Sequence, residues 1–225
     1  MKNTTLIVGG SRGIGLTIKE EFLKRGDNVY TASRSSSDDK NHFSVELPNK
    51  LNFDLKLKIN YLIFSHRYRS NDWDEDFNVT VKGVYKTINI LRNSFLKESS
   101  IVIIGSNAGK FIVNDQSASY HATRSALEGL TKYYSVNLGK TGIRCNCILP
   151  NTIIKPENVN YFTKENEKRK TLEKITPLAR MGNSNDISSL ALFLCSPEAS
   201  FISGQIISVD GGLSNRSQES IATHF

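Results

Sequence analysis

Tyr120 and Arg124 stand four apart in a run, S-A-S-Y-H-A-T-R-S-A-L, whose pattern reads as helix. Positions i and i+4 share one helix face, so a fixed cation lies beside a phenol. At ~4 Å and an effective dielectric of about 20, that charge favours the phenolate by roughly 4 kcal/mol. Such a tyrosine can give and take a proton near neutral pH. An isolated Tyr-x-x-x-Arg also arises by chance, with the ring packed and the arginine solvated, so the pair needs support from elsewhere in the chain.

Support comes first from the amino terminus. A short β-branched apolar run, Thr4–Val8, leads into Gly9, Gly10, Ser11, Arg12, Gly13, Ile14 and Gly15, and then into a helical pattern over 16–25 closed by Gly26. A glycine turn between strand and helix lets the backbone approach a pyrophosphate, and the helix start offers free N–H groups to it. The next strand pattern, 28–32, ends at Ser33 and Arg34, where an NAD site would offer a carboxylate to the ribose. Arg34 together with Arg12 suits a 2′-phosphate instead, so NADP(H) is expected over NAD(H).

The elements that must carry these residues alternate. Strand patterns at 43–47, 59–64, 101–104, 143–149 and 205–209 are separated by helical patterns at 72–96, around Tyr120 and at 186–194. This order predicts an α/β fold, a single doubly wound parallel sheet over residues 1–225. Only about a dozen residues, Pro48 among them, separate the third and fourth strands, so that crossover must be short or irregular. A polar, lysine-rich segment occupies 151–173, and 213–225 reads as a loose tail.

With 225 residues, 38% hydrophobic and 23% charged, the chain suits one core. No leader pattern opens it and no apolar run could span a bilayer, so a soluble cytoplasmic protein is expected. Cys145, Cys147 and Cys195 lack metal-ligand spacing and read as reduced packing residues, with no metal site. The net charge of +7 is partly concentrated at 164–174, where Glu165, Glu167 and Glu173 interleave with the lysines. Mixed signs mark a solvated helix face, and neither nucleic acid nor membrane is expected as a partner.

These motifs resemble the short-chain dehydrogenase/reductase family, over nearly the whole chain. Gly9, Gly13 and Gly15 fit its T-G-x-x-x-G-x-G loop with Val8 in the threonine place, and Ser106 and Tyr120 fall at its catalytic serine and tyrosine, one residue further apart than usual. The runs T-P-L-A-R-M-G at 176–182 and F-I-S-G-Q-I-I-S-V-D-G-G at 201–212 look like the closing half of 3-oxoacyl-carrier-protein reductases. The resemblance implies Ser106, Tyr120 and Arg124 as catalytic residues and Gly9, Ser11, Arg12, Gly13, Ile14, Gly15, Arg34, Tyr120 and Arg124 as cofactor contacts. It further implies a small carbonyl or alcohol substrate, a substrate lid at 151–176, and a homodimer or homotetramer formed through Val84, Ile88, Leu91 and Phe95.

The chain departs from the family where chemistry is done. Phe64, Ser65, His66 and Arg67 replace N-N-A-G, Thr80 replaces the asparagine that holds a relay water, Asn151 replaces the glycine after Pro150, Lys155 stands for the usual threonine, and Arg124 replaces the lysine. Arginine keeps the charge but cannot pass a proton. His66 and His121 are the candidates for a substitute shuttle. Two readings follow: an NADP(H)-dependent ketone or aldehyde reductase with Tyr120 as general acid, or a nucleotide-binding, non-catalytic subunit that partners an active relative.

Overall fold

The central strands bury apolar side chains on both faces, which is what a parallel sheet covered on two sides demands. In the computed structural model, which describes residues 2–164 and 166–223, the strands are β1 (Thr4–Val8), β2 (Asn28–Ser33), β3 (His42–Ser44), β4 (Ile59–Phe64), β5 (Phe95–Ile104), β6 (Arg144–Pro150), β7 (Ile153–Ile154), β8 (Gly182–Asn183) and β9 (Ile206–Val209). Glu165, one of the interleaved acids, and the last two positions of the expected tail lie outside the described residues. Seven strands form one parallel sheet in the order β3-β2-β1-β4-β5-β6-β9, and β7 pairs with β8 beside it.

The helices are α1 (Gly13–Lys24), α2 (Trp73–Asp76), α3 (Gly83–Ile90), α4 (Ala118–Asn137), α5 (Val159–Thr163), α6 (Glu167–Ile175), α7 (Ser184–Leu194) and α8 (Gln218–Ala222). Ile18 and Phe22 of α1 and Ile187 and Ala191 of α7 pack against Ile7, Ile63, Val102 and Ile148 on one sheet face. Val84 and Ile88 of α3 and Leu127 and Tyr134 of α4 pack against Leu6, Leu62, Ile101 and Cys147 on the other. All three cysteines are free and buried in these layers, and burial pushes the Cys147 and Cys195 thiols up to about 12.

Four details differ from the sequence reading. The helical pattern over 72–96 stops at Ile90, because Arg92–Ser94 tighten into a 3-10 turn and Phe95 already begins β5. β3 is only His42–Ser44 rather than 43–47, although the crossover from it to β4 is irregular as expected, with no helix. Val84, Ile88 and Leu91 are almost fully buried in the chain's own core, so they offer nothing to a second copy. The expected loose tail carries α8, capped by Ser217, and Arg216 donates to the Ile175 carbonyl at 2.9 Å.

Candidate active site

The sheet order reverses between β1 and β4, and open α/β sheets hold ligands beyond the carboxyl ends of the strands at such a point. A cleft of about 1040 Å³ opens there. Its floor is the glycine turn. Gly9 and Gly13 take φ of +89° and +58°, which side-chain-bearing residues rarely adopt. A methyl on Gly9 would meet the His66 main-chain nitrogen at 2.5 Å, and one on Gly15 would run into the Gly9 carbonyl oxygen. The turn is therefore packed backbone on backbone. The first turn of α1 contains no acidic residue and Arg12 gives it no side-chain cap, so its first N–H groups are left free to meet a ligand. Ser11, Arg12, Gly13, Ile14 and Arg34 all line the cleft, whereas Gly15 supports the turn from behind.

Ser106, Tyr120 and Arg124 line the same cleft from the other side. Ser106 follows β5 and its Oγ accepts the Ala108 N–H at 3.2 Å. Asn107 beside it donates from Nδ2 to Asn151 Oδ1 at 2.7 Å, tying this turn to the end of β6. Tyr120 sits in the first turn of α4, whose N-cap Ser117 accepts the Tyr120 N–H at 3.1 Å. Arg124 does lie one turn along the same face, but its guanidinium carbon stands 4.6 Å from the centroid of the Tyr120 ring, a cation over a π-face. Arg124 is 2% exposed, and its Nε and Nη2 have no hydrogen-bond partner. Burial pulls its pKa down, while the nearby Tyr120 and Asp76 raise it.

Neither histidine is built as a proton shuttle. His121 donates from Nδ1 to the Ser117 carbonyl at 2.8 Å and accepts the Val113 N–H on Nε2 at 2.9 Å, which fully occupies the ring in a structural bridge. His66 donates from Nε2 to the Val79 carbonyl at 3.0 Å, and its buried Nδ1 has no partner. Val79 lies in a π-helical stretch, Phe77–Lys82, inserted between α2 and α3. Thr80, in the same stretch, spends its hydroxyl on Asp76 Oδ1 at 2.8 Å. Asp76 is buried and also accepts from Ser119 Oγ at 3.0 Å.

Burial, with the Arg124 charge second, pulls the His66 imidazole down from 6.5 to about 4. Above pH 6.5 the ring is neutral whether or not the chain is folded. Below it the unfolded chain takes up a proton that the folded chain refuses, so stability falls progressively between about pH 6.5 and about pH 4. Denaturant titrations should show the native chain losing ~2 kcal/mol more than a His66→Asn variant between the two ends of that window. Equal losses would contradict a buried neutral His66.

Three residues of the cleft were not singled out from sequence. Arg67 places its guanidinium carbon 4.6 Å from the Tyr120 ring centroid and donates from Nη2 to Gln116 Oε1 at 2.6 Å. Arg69 stands 3.7 Å from Glu157, whose carboxylate fills the space that a side chain on Gly13 would need. Only the departure of Arg67 from N-N-A-G could have marked it; the other two meet only in the folded chain.

Residues 64–214 match the family described as enoyl-(acyl carrier protein) reductase. A tropinone reductase homologue of Arabidopsis thaliana is 31% identical, over 93% of this chain and 78% of its own. The chain is a short-chain dehydrogenase/reductase. Among solved structures, the aldohexose dehydrogenase of Thermoplasma acidophilum superposes with a TM-score of 0.83 at 24% identity, covering 96% of each chain. A short-chain dehydrogenase of Leptospira borgpetersenii with bound NAD+ gives 0.80 at 21% identity, covering 95% of this chain and 93% of its own. Short-chain dehydrogenase/reductases are oxidoreductases that use NAD(P)(H). No helix among the described residues is long and apolar enough to cross a membrane.

Proposed function

We propose that this short-chain dehydrogenase/reductase is an NADP(H)-dependent reductase of a ketone or aldehyde. The observation that carries the reading is the buried guanidinium of Arg124, with unpartnered Nε and Nη2, in one cleft with Ser106, Tyr120 and the glycine turn. A dinucleotide fits these groups. Its pyrophosphate would meet the free N–H groups of α1, its nicotinamide ribose hydroxyls the unpartnered donors of Arg124, and its 2′-phosphate the side chains of Arg12 and Arg34. The bound cofactor supplies a hydride to the carbonyl carbon. Ser106 Oγ holds the carbonyl oxygen, and the Tyr120 hydroxyl gives it a proton, so C=O becomes CH–OH as the cofactor is oxidised. The Arg124 charge steadies the phenolate that remains until solvent reprotonates it.

Cofactor choice tests the adenosine end. No carboxylate ends β2, so NADP(H) should bind more tightly than NAD(H) by ~1.5 to 3 kcal/mol, the worth of one or two charge-assisted bonds. Fluorescence titration of both cofactors measures this. Equal affinities, or an Arg34→Ala variant that keeps the preference, would count against it.

The non-catalytic reading has its own observation. The Val79 carbonyl and the Thr80 hydroxyl are engaged with His66 and Asp76, and the Arg124 guanidinium cannot pass a proton, so none of these three relays one from Tyr120 towards solvent. A protein of that kind would bind NADPH and turn over nothing.

We also infer self-association, as a homodimer or homotetramer. The outer faces of α3 and α4 expose Tyr85, Tyr133 and Val136, which replace the buried stripe as the apolar surface for a second copy. Light scattering at micromolar concentration should give two or four chain masses; a monomer would oppose it.

A further inference from the structure

Two guanidinium carbons stand 4.6 Å from the centroid of the Tyr120 ring, and only one of them is accounted for. Arg124 is buried and faces the ribose in the reading above. Arg67 is exposed, comes from the loop after β4, and has no carboxylate partner among the described residues; its anchor is the neutral amide of Gln116, just before the α4 cap. Gln116 therefore fixes where the charge sits without neutralising it.

Of the other cations that line the cleft, Arg12 and Arg34 are assigned to the 2′-phosphate in the reading above, Arg69 is paired with Glu157, and Lys155 follows β7 and makes no contact with the Tyr120 ring. Arg67 is left over at the Tyr120 end. A substrate that fills the cleft strips water from this guanidinium, and an unpaired charge is costly to desolvate. A substrate that brings its own anion removes that cost, and the planar fork of arginine suits carboxylate or phosphate in particular.

We propose that the carbonyl substrate carries an anionic group, and that Arg67 binds it beside Tyr120. The shared contact with one ring keeps that group close to the reacting carbonyl, as in a 2-oxo or 3-oxo acid or a short keto-phosphate. The assignment rests on the reductase reading for the place of the carbonyl, but the anion site itself is open to test without turnover.

The test is calorimetric titration of the NADP+-loaded chain, which has no hydride to give, and of its Arg67→Gln variant with two matched pairs: acetoacetate against methyl acetoacetate, and dihydroxyacetone phosphate against dihydroxyacetone. In the native chain one anion should bind ~10- to 100-fold more tightly than its neutral partner, the range of a hydrogen bond to a charged group. Arg67→Gln should erase that margin while leaving NADPH affinity and melting temperature unchanged. Which pair shows the margin separates carboxylate from phosphate. No margin in the native chain, a margin that survives Arg67→Gln, or a variant that loses NADPH instead would overturn the assignment. An anion that binds through Arg67 and is never reduced defeats the reductase reading and spares the anion site. Neutral carbonyls reduced as readily as anions do the reverse.

Discussion

Tyr120→Phe should bind NADPH almost as tightly as the native chain and reduce carbonyl substrate ~10² to 10⁴-fold more slowly in kcat, the loss that follows removal of a positioned proton donor. The substitution is unusually clean here. The hydroxyl anchors nothing among the described residues, since the hydrogen bonds at this position belong to the main chain of α4. A phenylalanine ring keeps the π-face over which Arg67 and Arg124 stand. The fold and the cofactor cleft should therefore survive, and the whole loss should fall on the chemical step. Stopped-flow single turnovers, with NADPH affinity measured in parallel, separate the two. In a non-catalytic protein the same substitution is silent in every assay.

Arg124→Ala should cost at two places at once. It removes the donors proposed for the ribose, worth ~1.5 to 3 kcal/mol when a charged group hydrogen-bonds, or roughly 10- to 150-fold in NADPH affinity. It also removes the cation beside the phenol, so kcat should fall as well. Arg124→Lys separates these losses from mere disruption of packing. A lysine keeps the charge and the cation–π contact, can donate to hydroxyls, and unlike arginine can pass a proton. It should retain native turnover or exceed it. Arg124→Lys as impaired as Arg124→Ala would mean that the guanidinium acts only as packing, against the unpartnered Nε and Nη2 that it presents.

How far the sequence disclosed this arrangement depends on range. Elements set by local pattern were legible: the glycine turn, the alternation of strands and helices, and the four-residue spacing of Tyr120 and Arg124 are properties of short stretches. The stripe at Val84, Ile88 and Leu91 was legible as a helix face, but one helix cannot say whether its apolar side meets its own sheet or another chain; here the sheet takes it. The spacing also could not say that Arg124 would stand over the ring. Arg67 reaches Tyr120 across 53 positions, and Glu157 reaches Gly13 across 144, so their roles exist only once β1, β4, β5 and β6 are laid into one sheet. His66 and His121 were indistinguishable as lone histidines. Their partners, the Val79 carbonyl in a π-helical turn and the Val113 amide in a loop, are tertiary facts.

One single-turnover reaction bears most directly on whether Ser106, Tyr120 and Arg124 form a working site. NADPH-loaded protein in excess is mixed with one carbonyl substrate at a time, and the near-ultraviolet absorbance of the reduced nicotinamide is followed while the product alcohol is quantified. Absorbance should fall with one alcohol formed per NADPH oxidised, and the Tyr120→Phe protein should show the same amplitude at a rate ~10² to 10⁴-fold lower. Tight NADPH binding with no absorbance change on any carbonyl substrate, neutral or anionic, would contradict the reductase and leave a nucleotide-binding protein in its place.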